Sequence, residues 1–313
     1  MAIEDRLKTA LDESRLLILG AQVLFGFQLE AAFQELFPGI PATSRYVHCA
    51  GLALLLLSVG LLIAPSLFHQ IIFRGNSTGG AVRMATGFAG ASLLPLTLGL
   101  GAAIFVTFEQ LFGRAGGIAA GVTLTTIALL LLYGLGFAVR EKRDMSMQDR
   151  QTSTSLKSKI EQMLTGARVI IPGGQALLGF QLIAVLTKAF SELPPAFKYA
   201  HCVGLSAVAL SVILLMTPAA LHRIGFRGED SPSFFRIGSR LVVAGSIPLA
   251  VGIAADVAVV FYAAIENEAT AVAAGVISLA VLLGLWLAYP FWRRGRPASK
   301  LTKMMASDKR SAI

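Results

Sequence analysis

Eight stretches of this chain stay apolar for roughly 20 residues each, at approximately 15–37, 46–67, 84–110, 116–139, 168–190, 199–220, 237–263 and 270–291. A helix needs about that many residues to cross ~30 Å of hydrocarbon at ~1.5 Å per residue. Backbone N–H and C=O groups find no water there, so apolar stretches of this length satisfy them internally, as helices. The reading is an all-α polytopic membrane protein with eight transmembrane helices. Composition agrees, since 55% of the 313 residues are hydrophobic and only 14% are charged, with mean hydropathy +0.70; a soluble core does not hide so much apolar sequence. Met1 to Ser14 is polar with four acids and no cleavage site, so the first span is expected to be retained.

Shifting the sequence by 153 positions lays Arg15–Glu109 on Arg168–Tyr262 without a gap, with roughly 36 identities over 95 positions. Self-similarity on this scale marks a duplicated structural unit. The pairs include Gln22 with Gln175, Gln28 with Gln181, His48 with His201, Cys49 with Cys202, Pro65 with Pro218, Arg83 with Arg236 and Pro95 with Pro248. Each unit holds four spans, an even number, so both enter the membrane from the same side. The fold expected is two parallel four-helix repeats about an axis along the membrane normal. The segments are a first repeat at 1–143 with an N-terminal amphipathic segment, a cytoplasmic linker at 144–167, a second repeat at 168–296 and a basic cytoplasmic tail at 297–313. Ile3, Leu7, Ala10 and Leu11, and again Leu156, Ile160, Met163 and Leu164, fall at helical spacing. Each set is expected to form a short amphipathic helix on the inner leaflet.

A formal net charge of +9 points to nucleic acid only when it covers a soluble face. Of the 27 Lys and Arg, about 23 fall in the termini and the 2/3, 4/5 and 6/7 connections, and about 4 in the other loops. This is the positive-inside pattern, so both termini are expected to be cytoplasmic and no nucleic-acid partner is expected. The partner implied is the lipid bilayer.

The block GxQxLxGFQL at Gly20 and Gly173, followed by YxHC, then a proline with histidine four residues later and FRG, resembles an uncharacterised bacterial family of small four-span inner-membrane proteins. Some members carry the label sodium:proton antiporter. The resemblance covers about 15–143 and 168–296. It implies a tandem fusion of two such units in a bacterial inner membrane, with single-unit relatives pairing as homodimers and a homo-oligomer open to this chain. It brings no catalytic or binding residues with it.

Polar groups inside apolar spans are the candidate functional residues. Gln22 and Gln28 lie on two faces of the first helix, as do Gln175 and Gln181 in the fifth. A helix polar on two sides belongs inside a bundle, so the first helix of each repeat is expected to be the most buried, with Gly20, Gly26, Gly173 and Gly179 allowing close approach. The four amides either bridge helices or line a polar path between the repeats. Asp256 lies within the seventh span, where its partner position holds Ala103, and Glu30 in the outer part of the first, opposite Ile183. Pro95 and Pro248 are expected to kink the third helix of each repeat and free a carbonyl, as a packing feature or beside a cation path. His48 and His69 stand 21 residues apart, ~31 Å on a helix, as do His201 and His222; no midplane relay follows, and interfacial packing or pH sensing remains. Cys49 and Cys202 are read as small buried residues, with a disulfide or a shared metal as alternatives.

No HExxH, GxSxG or paired aspartates stand in the sequence. No enzyme, cofactor or metal is therefore expected. The functional reading is an ion or small-solute transporter or channel with a polar site between the repeats. The alternative is a non-transporting membrane scaffold or sensor.

Overall fold

A computed structural model describes residues 3–134, 154–224, 226 and 229–294, and among these every regular element is helical. The helices are α1 Ile3–Ala31, α2 Ala42–Ile71, α3 Gly79–Leu129, α4 Leu156–Ala184, α5 Pro195–Ile224, α6 Pro232–Ile265 and α7 Glu268–Leu283. A wide π turn, Gly284–Ala288, carries α7 on into Tyr289–Arg294. Six helical stretches are long and apolar enough to cross a membrane, and the apolar part of α1, Leu17–Ala31, is a shorter one. The basic tail at 297–313 and the linker up to 153 lie outside the described residues.

α3 is two helices joined at a corner. Gly113 sits at φ 72, ψ −179, inside an otherwise helical run. Only glycine enters that region at low cost. Beyond it the chain folds back: a side chain at Gly117 would lie 2.8 Å from the Phe105 carbonyl oxygen, and one at Gly121 3.1 Å from that of Gly101. Tyr133 closes the hairpin by donating to the Gly90 carbonyl at 2.7 Å. In the second half the corresponding corner is Glu266, a non-glycine at φ 57, followed by Asn267, whose side chain accepts from the Thr270 amide and caps α7.

The duplication reaches individual contacts. Ser58 donates to the Ser92 carbonyl at 3.0 Å, and 153 residues on Ser211 donates to the Gly245 carbonyl at 2.7 Å. The rings of Phe37 and His48 meet edge-on at 4.9 Å, and those of Phe190 and His201 do the same at 4.9 Å. One matched place has changed chemistry: Ser44 hydrogen-bonds the Glu109 carboxylate where Phe197 stacks on Tyr262.

Burial is not shared equally. The most buried span is α2, with 67% of its apolar window inside, against 44% for α4 and 39% for α5. The expectation that the first helix of each repeat is the most buried is therefore corrected. α2 is enclosed from both halves, with Trp286 donating to the Gly60 carbonyl at 2.9 Å and Leu282 and Leu285 against Gly60. Among the described residues α5 packs chiefly on α6 and α4 and has no such cover. The α3 hairpin is peripheral, with only 11% of its window buried.

The amphipathic segments are also corrected. They do not lie apart from the bundle but run straight into α1 and α4, 29 residues each. Leu7 and Leu11 are buried against Ala81 and Ala85 at the start of α3. Ile160 and Met163 join the main core. Gln162 donates to the Ser77 hydroxyl at 2.7 Å, and Thr154 accepts from the Ser77 amide at 2.8 Å, tying the entry of α4 to the α2–α3 turn. Apolar side chains that find protein surface have no need of a lipid interface.

Candidate functional site

Glu30, Gln181, His201 and Asp256 line one small pocket at the end of the bundle where α1 finishes and α5 begins. Leu29, Phe33, Val259 and Val260 supply its apolar wall. Its water-accessible volume, ≈ 20 Å³, holds about one water.

The geometry starts from a helix end. The last four carbonyls of a helix have no partner within it, and Gln181 is in the last turn of α4, Leu156–Ala184. His201 Nε2 lies 3.0 Å from the Gln181 carbonyl oxygen. A carbonyl only accepts, so Nε2 carries the hydrogen. The Gln181 side chain donates through its own Nε2 to Asp256 Oδ2 at 2.7 Å. The other ring nitrogen, His201 Nδ1, faces Asp256 Oδ1 at 3.8 Å. Gln181, His201 and Asp256 are only 3%, 3% and 4% exposed. Unprotonated, both groups only accept, so a proton on Nδ1 or on the carboxyl, or a water donated from the pocket, relieves the repulsion between them. Glu30 brings a second carboxyl from the other half of the chain. Its Oε1 accepts from Gln34 at 3.1 Å, while its enclosed Oε2 has no hydrogen-bond partner among the described residues.

Two of the acids that break the internal symmetry, Glu30 and Asp256, thus meet at one pocket, together with one of the four glutamines. Half of the site stands at the matching place in the first repeat: Gln28 in the last turn of α1 and His48 under Phe37, but Ala103 where Asp256 would be. Gln22 and Gln28 are buried elsewhere, at 6% and 8% exposure, each with Oε1 unpartnered among the described residues. Gln22 lies across Gly173 in the contact between α1 and α4, and Gly26 lies across Phe180. Gly20 and Gly179 face open space, so only two of the four glycines serve close approach. Gln175 is exposed, which corrects the expectation that it bridges helices or lines a polar path between the repeats. It follows Gly173 by two residues, about 200° round the helix, and so points away from α1.

Pro95 and Pro248 lie inside α3 and α6. The serine bonds from α2 and α5 fall on the carbonyls three residues before them, Ser92 and Gly245. The carbonyls that the prolines leave without an amide are four residues back, at Ala91 and Ala244, so the serine bonds fall one residue beyond them and tie each helix to its neighbour. Neither proline lines the pocket. His222 stands 3.5 Å from Asp230 at the opposite end of the bundle. Both cysteines are free, Cys49 buried and Cys202 exposed, so the disulfide is corrected and the buried reading fits Cys49 alone. No group of three or more metal-ligating side chains occurs among the described residues.

His201 is the residue of this pocket that the sequence left unassigned to Asp256. The signal was present. Asp256 lies nine residues before the end of α6, Pro232–Ile265, and His201 six after the start of α5, Pro195–Ile224. At ~1.5 Å per residue these are ~14 and ~9 Å from the same end, well within reach for antiparallel neighbours.

Fold and site together define a helical protein of membrane-spanning character with a dry carboxyl–imidazole pair near one end of its bundle. The chain belongs to a family of unknown function, DUF6328, which it matches twice, over residues 3–135 and 150–290. No curated protein and no solved structure matches it.

Proposed function

We propose that the protein is a multi-pass protein of the bacterial inner membrane with a proton-exchanging site between two parallel four-helix repeats, and that this site couples the movement of protons or a small cation. The count of eight crossings takes the α3 run as two spans, supported by the corner at Gly113, and adds Leu17–Ala31 to the others. With both termini cytoplasmic, as the distribution of Lys and Arg favours, the pocket opens toward the outer face.

The observation that carries the reading is the buried Asp256, bonded to Gln181 and facing His201, in a pocket that Glu30 enters from the other repeat. Intramembrane carboxyl and imidazole groups are the usual means of moving protons through low dielectric. Room for about one water suits a proton or a bare cation and not an organic solute. A second reading is a sensor that takes up a proton from the outside without passing it on. It is favoured by the closed apolar layer along α6 on the inner side of Asp256, with Ile253, Leu249 and Val242 all buried.

The test is flux in proteoliposomes under an imposed pH gradient, with and without sodium, comparing the wild type, Asp256→Asn and empty vesicles. Transport requires wild-type flux above that of empty vesicles and its loss in Asp256→Asn. Wild-type flux no greater than in empty vesicles refutes transport and leaves the sensor. Undiminished flux in the Asn variant removes Asp256 from the path.

A further inference from the structure

The largest cavity described lies at the other end of the molecule, where α2 ends and α6 begins. Its water-accessible volume is ≈ 600 Å³, within the range of small-molecule sites. Four arginines converge on it from three elements: Arg74 after α2, Arg236 and Arg240 on α6, and Arg294 at the end of the last helix. None of the four has an ion pair or hydrogen bond among the described residues. The wall is graded. Along α6 the charges at 236 and 240 give way to Val243, Ala244 and Ile247, and along the last helix Arg294 gives way to Phe291 and Leu287. From Arg240 to Ile247 is ~10 Å of helix at ~1.5 Å per residue. The cavity is therefore cationic at the helix ends and apolar toward the middle of the bundle.

At its floor Gln70, 8% exposed, accepts from the Ser239 hydroxyl at 2.9 Å through Oε1. Gln70 also lines the cavity, and its oxygen is taken by Ser239, so the amide nitrogen is the group it can offer a ligand. The wall beside Arg74 is built with care. Arg74 and Gly75 both adopt left-handed backbone, at φ 50 and 76, and a side chain at Gly75 would lie 2.6 Å from the Phe235 ring. A non-glycine at φ 50 is uncommon, and Arg74 lines the cavity together with the α6 arginines.

We propose that this cavity binds one anionic phospholipid, with its phosphate held by Arg236, Arg240, Arg74 and the Gln70 amide and an acyl chain lying along Val243, Ile247 and Leu287. A free anion matches only the basic end, whereas the graded wall matches an amphiphile lying parallel to the helices. Basic pockets between membrane helices recognise lipid headgroups by this chemistry. Orienting charge alone does not account for the arrangement, because positive-inside residues need no common cavity and no apolar wall continuing from them. The site is also particular to one half. The places of Arg240 and Arg294 in the first repeat hold Gly87 and Glu141, so duplication by itself did not produce it.

The experiment uses the full chain in phosphatidylcholine nanodiscs doped with phosphatidylglycerol, with retained lipid counted by native mass spectrometry after gentle release. One phosphatidylglycerol is expected to stay bound in preference to phosphatidylcholine. Arg236→Gln with Arg240→Gln is expected to weaken retention about 25-fold, at about fivefold or ~1 kcal/mol for each arginine. Arg236→Lys with Arg240→Lys controls for folding and is expected to keep most of the binding. Arg83→Gln, at the matching place in the first repeat, is expected to leave it unchanged. Equal loss in Arg83→Gln would mean diffuse surface charge and would overturn the site. Displacement of the lipid by inorganic phosphate at millimolar concentration would make it a free-anion site and overturn the lipid assignment, as would indifference to the Gln pair.

Discussion

Replacing Gly113 by alanine tests the folded-back α3 through the sign of one free energy. If residues 79 to 133 formed one continuous helix, alanine would be a better helix former than glycine and would stabilise the protein by ~1 kcal/mol. Such a helix would be ~80 Å long at ~1.5 Å per residue, far beyond the ~30 Å hydrocarbon layer. At the observed φ 72, ψ −179 alanine is strained by ~1–3 kcal/mol. Nothing lies within 4 Å of the added Cβ, so no steric contact with neighbours adds to or hides the backbone effect. The expected result is destabilisation by ~1–3 kcal/mol. The counterpart Glu266, at φ 57, provides the opposite sign: Glu266→Gly relieves ~1–2 kcal/mol of left-handed strain, less a few tenths for the loss of its exposed 3.8 Å pair with Arg45. Reversible unfolding in mixed micelles, followed by far-UV circular dichroism, measures both. Stabilisation by Gly113→Ala would refute the corner.

Gly252→Ala would place a methyl 2.4 Å from Val208 Cγ2 and 3.0 Å from the Gly204 carbonyl oxygen; Val208 is β-branched and fully buried, so overpacking is expected to cost ~1–3 kcal/mol in the same unfolding assay. Ser58→Ala and Ser211→Ala each remove one hydroxyl bond to a carbonyl near a proline. Each is expected to cost on the order of 1 kcal/mol, and the double variant is expected to be additive because the two sites lie in different repeats.

The helical class was legible because a bilayer permits little else for long apolar runs, and the duplication because 153 is a single gapless shift that the contacts at Ser58 and Ser211 repeat. The candidate site was half legible. Asp256 and Glu30 stood out as charges without counterparts, and Gln181 as an amide in apolar sequence. Gln175 misled, because helical angle shows which residues share a face but not which face meets a neighbour. His201 was missed because the histidines were compared only with each other, 21 residues apart on one helix, and not with the acid that the antiparallel α6 brings to the same end. The greater burial of α2 than α5 had no signal in the repeat itself, since near-identical units gain unequal neighbours only when they are assembled.

The central claim is that Asp256 and His201 share an exchangeable proton reachable from the end of the bundle where Glu30 lies. Infrared difference spectroscopy of the reconstituted protein, as the pH is stepped across neutrality on that side alone, tests it most directly. The account predicts a carboxyl signal that is present in the wild type, absent in Asp256→Asn and shifted in His201→Gln. A wild-type spectrum indistinguishable from that of Asp256→Asn at every pH would contradict it.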